Sequence, residues 1–349
     1  DTDAPAISFD TVIVDEAARV GPRDLLIPMV QGKRRIILVG DHRQLPHLID
    51  EEVVRALESG KEDAGEVGGK SENELIEQSM FQYLFRRLAA LEKQDGIRRR
   101  VTLDQQFRMH PLLGQFVSDN FYASFGEAFG SPLSESLFPH SLAGANGKAA
   151  MWVNLPIEEG PAIKREQETS WIRLAEIERV ACLLKEWMTS PEGAELSFGV
   201  ISFYKAQTES IKADLAKDGF TIEGEDGSWE IAPEYAHLPA KDGKLPEERL
   251  RIGTVDAFQG MEFDVVILSM VRSHRMPDKA PKSKEIERAG RRLFGHLMSV
   301  NRLCVSMSRQ KRLLVVVGDA GMISGPIGRQ CVPGLANFYQ LCQEMGVVK

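Results

Sequence analysis

The 349-residue chain is 43% hydrophobic and 27% charged, a composition typical of a globular protein long enough for two domains. No apolar run approaches the roughly 20 residues that span a bilayer, and residues 1–10 lack the basic and apolar parts of a signal peptide, so we expect an intracellular, cytoplasmic protein without a membrane partner, or a nuclear one. The net charge of −8 argues against coating nucleic acid by bulk charge, although a narrow basic channel stays open. The four cysteines are too far apart for a zinc site or a redox dithiol.

The first 94 residues predict alternating strands and helices. Residues 7–14 and 35–39 are short apolar, β-branched runs typical of buried parallel strands, and residues 23–30 between them favour a short helix. Residues 58–73 are rich in Gly, Glu and Lys and predict a mobile surface insertion. Apolar residues at helical spacing then predict a helix over residues 75–91.

A domain boundary is expected in the polar stretch 92–100, which would divide the chain into residues 1–94 and 95–349. This stretch contains Arg98, Arg99 and Arg100. Such a run is most often a solvated charged face, and the alternative is a local basic patch for nucleic acid.

The second domain repeats the pattern of short apolar strands and amphipathic helices. Strands are predicted at residues 150–154, 198–202, 251–255, 265–270 and 313–317, and helices at 171–188, 205–217, 296–308 and 336–346. Residues 221–249 and 274–290 look like polar, partly disordered insertions. The alternation predicts an α/β fold, with a mostly parallel sheet that has helices on both faces.

Two adjacent carboxylates follow the first predicted strand. Asp15 and Glu16 come directly after an apolar run, and ligands in open α/β sheets bind at the carboxyl ends of strands. There an Asp can hold Mg²⁺, and a neighbouring Glu can orient or deprotonate a water that attacks a γ-phosphate. The alternative is an ordinary surface turn, and these residues alone do not decide between the two.

A second polar loop, with Gly40, Asp41 and Gln44, follows the next predicted strand. A Gln at such a strand end can hydrogen-bond a γ-phosphate or the attacking water. Gly-Asp is equally typical of a simple tight turn.

Two arginines stand in the phrases QFRMHP (residues 106–111) and VSMSR (305–309). Arg108 and Arg309 have the directional donors that can neutralise the charge of a transferring phosphoryl group across a cleft. An isolated arginine is more often an ion-pair residue, so that alternative stays open. The phrase TVDAFQGMEFD (254–264) between two predicted strands is either a loop that lets backbone approach a phosphate or ribose, or a plain connection.

In this order and spacing, DEAA, GDHRQLP, QFRMHP, VDAFQGMEFD and SMSRQK resemble motifs II, III, IV, V and VI of the Upf/Sen/Nam-like superfamily 1 helicases. The ordered set carries the resemblance, which runs from residue 9 to residue 319 outside the insertions. It implies two domains of the RecA-like P-loop NTPase fold, the first truncated to its C-terminal part. It also implies that ATP and Mg²⁺ bind in the cleft between the domains and that the enzyme travels 5′ to 3′ on single strands.

The resemblance implies roles for individual residues of the nucleotide site. It implies Mg²⁺ binding by Asp15, water activation by Glu16, γ-phosphate sensing by Gln44, adenine stacking by Phe107, charge neutralisation by Arg108 and Arg309, and a nucleotide contact by Glu262 near Gly260. A core position is the alternative for Phe107.

The phrase SFYKAQ (202–207) resembles a loop that contacts the backbone of single-stranded DNA or RNA. The implied contacts are Ser202, Tyr204 and Gln207, together with Thr254. Their hydroxyl and amide groups suit phosphates, which carry no sequence information.

Two features depart from the family pattern. The last motif has Arg309-Gln310-Lys311 where the family has Arg-Ala-Arg, and no convincing phosphate-binding loop is present. Residues 64–71 fit G-x-x-x-x-G-K-[ST] except at the first Gly, but they follow the Asp-Glu motif instead of preceding it. The true loop is therefore expected upstream of residue 1, in an N-terminal remainder of the same protein, and these residues alone should hydrolyse almost no ATP.

Two other functions fit the same fold. One is a non-catalytic nucleic-acid-binding scaffold, which the intact acids and arginines argue against. The other is the motor part of a larger nuclease or defence protein, which sequence outside these residues would decide.

Overall fold

The computed structural model describes residues 7–45, 66–67, 70–71, 79–164, 170–240, 245–277 and 283–349. Contacts between Cα atoms divide the chain into two compact units, Asp1–Thr102 and Leu103–Lys349, which we call unit 1 and unit 2. The sequence placed the division between residues 94 and 95. Within the described ranges, no helix is long and apolar enough to cross a membrane.

Unit 1 is built on a pair of parallel strands. Its elements are β1 (Phe9–Val14), α1 (Pro22–Met29), β2 (Gly32–Leu38), β3 (Glu66–Val67), β4 (Lys70–Ser71) and α2 (Met80–Asp95). Helix α1 begins at Pro22, whose fixed φ suits the first helical position. Helix α2 begins after Ser79, whose hydroxyl accepts from the Gln82 amide, and ends at Gly96 with a positive φ of 69°. Strands β1 and β2 pair in parallel, as the strand–helix–strand pattern predicts.

The faces of β1 and β2 are more exposed than their apolar sequences predict. Ile13 is 66% exposed and Ile36 is 41% exposed, whereas the buried core of unit 1 consists of Ala17, Ala18, Leu25 and Phe81. The prediction of buried strands at residues 7–14 and 35–39 is therefore wrong for this structure. The reason is that the described elements of unit 1 do not cover both faces of the strand pair.

The segment that nearly matches a phosphate-binding loop forms a different structure. Lys70–Ser71 pairs antiparallel with Glu66–Val67, whereas a working loop opens a helix. This geometry agrees with its exclusion as a phosphate site. The rest of the insertion predicted at 58–73, and the start of the helix predicted at 75–91, lie outside the described residues.

Unit 2 alternates strands and helices along its described ranges. In chain order these are α3 (Pro111–Phe121), β5 (Ala150–Asn154), β6 (Ile163–Lys164), β7 (Trp171–Ile172), α4 (Leu174–Thr189), β8 (Phe198–Ser202), α5 (Lys205–Leu215), β9 (Thr221–Glu223), β10 (Trp229–Ile231), α6 (Pro233–Ala236), β11 (Leu250–Thr254), β12 (Phe263–Ser269), α7 (Ser283–Phe294), α8 (Val300–Ser306), β13 (Gln310–Gly318), α9 (Ala320–Ser324), α10 (Pro326–Cys331), α11 (Pro333–Met345) and β14 (Val347–Val348).

One parallel sheet organises unit 2. In the described residues it has six strands in the order β11-β8-β12-β13-β5-β14, with Val200 of β8 opposite both Ile252 and Ile267. Every residue of β8 and β12 is buried, as expected for a parallel sheet covered on both faces. Helices α4 and α5 pack on one face, and Trp152 of β5 meets Tyr339 of α11 on the other, 5.2 Å between ring centroids. The predicted α/β fold with helices on both faces is confirmed.

Several element predictions for unit 2 need correction. The segments 221–249 and 274–290 contain β9, β10, α6 and most of α7 in their described parts. Ile231 of β10 and Tyr235 of α6 pack against the core of unit 2, and Gly290 of α7 lies so close to α10 that a Cβ there would be 2.5 Å from Cys331 Sγ. The helix predicted from residue 171 begins at Leu174, since β7 pairs with β6. The helix predicted at 296–308 is reduced to α8, after a 3₁₀ turn at Gly295–Met298.

Candidate nucleotide and nucleic-acid site

The adjacent acids lie in the turn at the carboxyl end of β1. Asp15 Oδ1 accepts a hydrogen bond from the Glu16 amide at 2.9 Å, and both side chains are exposed. Glu16 has a positive φ of 53°, a conformation that costs a residue other than glycine roughly 1–3 kcal/mol and is concentrated at functional sites. The strained turn presents two carboxylates to solvent.

The loop after β2 lies against this turn. A Cβ on Gly40 would lie 2.8 Å from the Ala18 nitrogen, so only glycine fits. The amide of Ala17 donates to the Val39 carbonyl at 2.8 Å. The ends of the two parallel strands therefore meet at one edge, as predicted.

Gln44 reaches this edge through a compact loop. Its Nε2 donates to Asp41 Oδ2 at 2.8 Å, while Asp41 Oδ1 accepts from the Arg43 amide at 2.9 Å. The loop is thus also a tight turn of the kind that Gly-Asp predicts. The structure brings Asp15, Glu16 and Gln44 onto one edge of the β1–β2 pair.

The acids of this edge fit one mode of Mg²⁺ binding. Among the described residues, no group of three or more His, Cys, Asp or Glu side chains could hold a metal ion. Mg²⁺ at nucleotide sites takes one or two carboxylates, with water and phosphate oxygens as the other ligands. Asp15, exposed beside Glu16, offers a carboxylate of this kind.

In unit 2 a cavity of about 550 Å³ gathers the residues of QFRMHP and VDAFQGMEFD. Its lining residues are Phe107, Arg108, Leu133, Leu137, Phe138, Glu262, Asp264, Lys311 and Arg312. Apolar and aromatic side chains form one part of the lining, and charged groups form the other. Phe107 is 65% exposed, so it is not a core aromatic and its ring is open to stacking.

The local folding of two loops creates the charged part of the cavity. Gln106 Oε1 accepts from the amides of Arg108 at 2.9 Å and Met109 at 2.7 Å, which fixes the turn that carries Arg108. The His110 amide donates to the Lys311 carbonyl at 2.7 Å and ties this turn to the start of β13. Gly260, with φ of 79°, allows the turn that precedes Glu262.

Glu262 is the carboxylate that pairs with two cations, Arg108 and Lys311, in the charged part of the cavity. Arg108 Nε donates to Glu262 Oε2 at 2.8 Å, Lys311 Nζ lies 3.2 Å from Oε1, and Arg108 Nη1 donates to the Ser308 carbonyl at 3.3 Å. Burial raises the pKa of Glu262, but the Arg108 hydrogen bond and the Lys311 charge outweigh it and hold the pKa below its ordinary value. Sequence reasoning missed this ion pair, since its partners are 154 positions apart.

Arg309 lies in the interior of unit 2. It is 1% exposed, its Nε donates to the Val305 carbonyl at 3.2 Å, and its Nη2 donates to Ser308 Oγ at 2.9 Å. These partners are protein groups. Charge neutralisation by Arg309 therefore stays a prediction that requires the side chain to change partners.

Three of the predicted nucleic-acid contacts are corrected by the structure. Ser202 and Gln207 are fully buried and Tyr204 is nearly so, because β8 is an interior strand and the start of α5 packs beneath its end. Gln207 Oε1 accepts from the Arg173 amide at 2.9 Å, and its Nε2 donates to Ser269 Oγ at 3.0 Å. These side chains face the protein interior, where a nucleic-acid strand cannot contact them. Thr254, at the end of β11, is half-buried.

Gln207 belongs to a buried polar network that the sequence did not reveal. Arg173 and Glu176 form an ion pair, and Glu176 Oε2 accepts from Ser269 Oγ at 2.6 Å and from the Val271 amide at 2.8 Å. Burial raises the pKa of Glu176 above its ordinary value, against the opposing effect of Arg173. Val271 has a positive φ of 66°, and the network holds it in that strained conformation.

Aromatic and cationic side chains surround the same strand ends. The guanidinium carbon of Arg272 lies 4.5 Å from the centroid of the Trp171 ring, and His274 packs edge-on to Trp171 at 5.4 Å. His296 lies 5.4 Å from the Tyr204 ring, and Arg302 Nη1 lies 3.4 Å from His296 Nδ1. We call Trp171, Arg272, His274, His296 and Arg302 the aromatic–cationic cluster. These residues are far apart in the sequence, so their grouping at one edge of the sheet becomes visible only in the folded structure.

Two of the three arginines in the basic run of unit 1 pair with neighbouring acids, and Arg98 donates to the Arg100 carbonyl. Arg99 pairs with Asp95 at 2.6 Å, and Arg100 pairs with Glu92 at 3.0 Å. The hydrogen bond from Arg99 is the main cause that lowers the pKa of Asp95 to about 2. The structure favours a solvated charged face over a free basic patch.

The set of loops described above lies within segments that match a known protein family. A family model described as an AAA domain matches residues 76–321, more than half of the chain, and a second model with the same description matches residues 2–52. The chain belongs to this AAA domain family, as a superfamily 1 helicase domain of the Upf/Sen/Nam-like type.

Curated relatives of the helicase domain are longer proteins. The ATP-dependent helicase NAM7 of Saccharomyces cerevisiae is 28% identical over 319 residues, which cover 89% of this chain and 25% of that protein. The regulator of nonsense transcripts 1 homolog of Drosophila melanogaster is 25% identical over 344 residues, which cover 96% of this chain and 22% of that protein. The chain thus spans a quarter or less of the length of these two relatives.

A solved helicase structure overlaps only loosely with the domain. The arterivirus nonstructural protein 10 helicase covers 87% of this chain and 38% of its own, at 14% identity and a TM-score of 0.32. The fold of the helicase domain rests on the sheet topology described above.

Proposed function

We propose that the whole protein is an ATP-dependent helicase or translocase that moves 5′ to 3′ along single-stranded DNA or RNA. The observation that carries the proposal is the cavity of unit 2, which combines the exposed Phe107 ring with Arg108, Lys311 and Glu262. A nucleoside triphosphate has a flat base, a sugar with hydroxyl groups and a polyanion, and these residue types bind such groups. An intracellular, cytoplasmic location belongs to the proposal, since ATP and nucleic acid are found together there.

The residues divide the proposed work of ATP hydrolysis. Phe107 stacks on the base, and Arg108 neutralises charge on the phosphates. Asp15 holds the metal, and a bound Mg²⁺ supplies charge neutralisation at the phosphate oxygens. Glu16 orients the attacking water, and Gln44 senses the γ-phosphate. We further propose that a phosphate-binding loop in the N-terminal remainder acts with these groups, and that Arg309 joins them after it changes partners.

We place the proposed contact with single-stranded nucleic acid at the carboxyl ends of β8, β11 and β12. Single-strand sites combine stacking rings with cations that follow the backbone. At this edge the aromatic–cationic cluster offers the Trp171 ring and the half-buried Arg302, whereas Arg272 is 4% exposed and donates to the Leu293 and Arg292 carbonyls. Trp171 and His274 are partly exposed, and His296 is exposed. Thr254, half-buried at the end of β11, stays a proposed backbone contact. The local cations allow this in a chain whose net charge is −8.

The first test is ATP hydrolysis by the full-length gene product, with and without single-stranded DNA and RNA. We expect strand-stimulated hydrolysis and a loss of about 10²-fold or more in kcat for Glu16→Gln, with strand affinity unchanged. Glu178→Gln, an exposed acid on α4, is the matched control and should keep wild-type kcat.

One result would contradict the motor, a second would contradict only the role of Glu16, and a third would place the motor in a nuclease. If the full-length protein binds single strands but hydrolyses no ATP, it is the non-catalytic scaffold. If hydrolysis proceeds and Glu16→Gln retains it, the assigned water-activating residue is wrong. A strand-cleaving activity that depends on ATP would instead identify the motor part of a nuclease.

A further inference from the structure

Helix α7 lies outside the five motif phrases and has one basic side. Its opposite side, which includes Gly290, Leu293 and Phe294, is buried in unit 2. Arg288 and Arg292 are four positions apart, so they share one side of the helix, away from Gly290. Both arginines are exposed. The helix therefore presents two neighbouring guanidinium groups to solvent.

These two guanidinium groups are not neutralised within the described part of the chain, where neither pairs with an acid; the adjacent Arg291, in contrast, pairs with Glu287 at 2.7 Å. A cation in the last turn of a helix often stabilises the free carbonyls there. In α7 the buried Arg272 does so, since it donates to the carbonyls of Leu293 and Arg292. The charge of Arg292 is therefore available to a ligand.

The last turn of α7 lies next to the Trp171 ring. The same Arg272 guanidinium that donates to the Arg292 carbonyl lies over this ring, with its carbon 4.5 Å from the ring centroid. His274 packs edge-on to the ring, and its pKa is lowered by burial, by Arg272 and by the Arg292 charge. One aromatic ring and one exposed cation are thus joined through a single buried side chain.

A single strand that stacks a base on Trp171 brings its phosphates close to this ring, and arginine binds phosphate through several directional donors. The arginines of the aromatic–cationic cluster are poorly placed for that contact. Arg272 is 4% exposed, and Arg302 lies 3.7 Å from the carboxylate of Asp256. Exposed arginines without an acidic partner are found beside the ring on α7, among the residues that the structure describes.

We propose that Arg292, together with Arg288 one turn earlier, binds the phosphate backbone of the single strand that stacks on Trp171. The nucleic-acid surface then extends from the ends of β8, β11 and β12 onto α7. Contacts of this kind carry no sequence information, so they act on DNA and RNA alike. This inference rests on the proposed strand contact.

The salt dependence of strand affinity tests the inference in the full-length protein. Fluorescence anisotropy gives the Kd of labelled oligothymidine and oligouridine between about 50 and 200 mM salt. Each phosphate contact contributes about 0.7 to the slope of log affinity against log salt. Arg292→Ala should reduce the slope by about 0.7, so salt weakens its binding about 2.6-fold less than that of the wild type. The double variant with Arg288→Ala should lose about 1.4, and Arg292→Lys, which keeps the cation, should retain the slope.

Arg291→Ala is the matched control, because it changes the net charge of α7 equally but removes an arginine that is paired with Glu287. It should keep the wild-type slope. Trp171→Ala should weaken binding with the slope unchanged, since a stacking ring releases no counterions. Disorder of α7 would lower the slope in Arg292→Lys as well, so the lysine variant separates a phosphate contact from a structural role.

The inference is overturned if Arg292→Ala or the double variant keeps the wild-type slope, or if Arg291→Ala lowers it as much. Should Trp171→Ala weaken binding while Arg292→Ala keeps the slope, the proposed strand contact stands and the role of α7 fails. If the wild-type protein binds neither oligonucleotide, the proposed strand contact fails and this inference fails with it.

Discussion

Arg173 and Glu176 face each other in the interior of unit 2, with Nη1 3.3 Å from Oε1 and side chains that are 1% and 0% exposed. The remaining donors of Arg173 reach the carbonyls of Leu155, Pro156 and Gly160, so one guanidinium joins the end of β5 to the start of α4. Because Glu176 also binds Ser269 and Val271, the pair holds the ends of β5 and β12 together.

Removing one partner of this pair should be costly. Glu176→Ala leaves the Arg173 charge buried without its counter-ion, and we expect a loss of about 3–5 kcal/mol in the free energy of unfolding. Tryptophan fluorescence during urea denaturation measures this change in unit 2, since all four tryptophans lie there. Glu178→Ala, exposed on the same helix, should change it by less than about 0.5 kcal/mol. Equal effects of the two substitutions would show that the buried pair contributes little.

Gly40 should be essential for the geometry of unit 1. Gly40→Ala places a Cβ 2.8 Å from the Ala18 nitrogen, so the loop after β2 must move away from the turn that follows Asp15 and Glu16. We expect strand-stimulated kcat of the full-length protein to fall at least about ten-fold, because a displacement near 1 Å can cost 10²-fold. Gly21→Ala, whose nearest neighbour would lie at 3.5 Å, is the control and should retain activity. Retained activity in Gly40→Ala would refute the close approach.

Unit 2 should lose stability as the pH falls below neutrality. Burial is the largest cause that lowers the pKa of His110, His140, His274 and His296 below the ordinary value of 6.5. Nearby arginines lower the pKa further: Arg272 and Arg292 act on His274, and Arg302 and Arg272 act on His296. Nearby acids raise the pKa and so oppose burial: Asp256 acts on His296, and Glu135 acts on His110.

The direction of this pH effect follows from proton binding. The unfolded chain takes up protons as the pH falls through 6.5, while the folded chain does so only at lower pH, so acid favours unfolding. The stabilisation that comes from the four histidines is complete above pH 6.5 and is lost below it, while the raised pKa of Glu176 acts in the opposite direction. Urea denaturation of unit 2 at pH 7.5 and at 5.5 should show the lower midpoint at 5.5. A midpoint that rises as the pH falls would contradict the assignment.

Trp171 should contribute to strand affinity. Replacing a ring that stacks on a base costs about 1–3 kcal/mol, so Trp171→Ala should weaken single-strand binding at least about five-fold while ADP affinity stays constant. Fluorescence anisotropy with a labelled oligonucleotide measures the change. Trp229→Ala, on β10, is the matched control. If both substitutions leave strand affinity unchanged, the strand does not stack at the aromatic–cationic cluster.

The strands of unit 2 could be predicted from sequence, because a parallel sheet covered on both faces requires continuous apolar runs such as residues 263–269. The exposure of Ile13 could not be predicted, because β1 is the same kind of apolar run and its burial depends on which elements pack against it. The motif phrases identified Phe107 and Arg108, but a phrase does not reveal which side chains point inward. For example, the phrase SFYKAQ predicted that Gln207 contacts a nucleic-acid strand, but its side chain is buried. The Arg108–Glu262 pair depends on tertiary folding that no local pattern encodes.

The exposed apolar faces of β1 and β2 affect how solution measurements on this chain should be interpreted. Phe9, Ile13, Ile36 and Ile37 present hydrophobic surface in the folded state. Environment-sensitive dyes such as ANS bind surfaces of this kind, and their fluorescence is commonly taken as a sign of a molten globule. For the isolated 349-residue chain, dye fluorescence in native buffer is expected from the intact fold, and it should coexist with a cooperative tryptophan transition in unit 2.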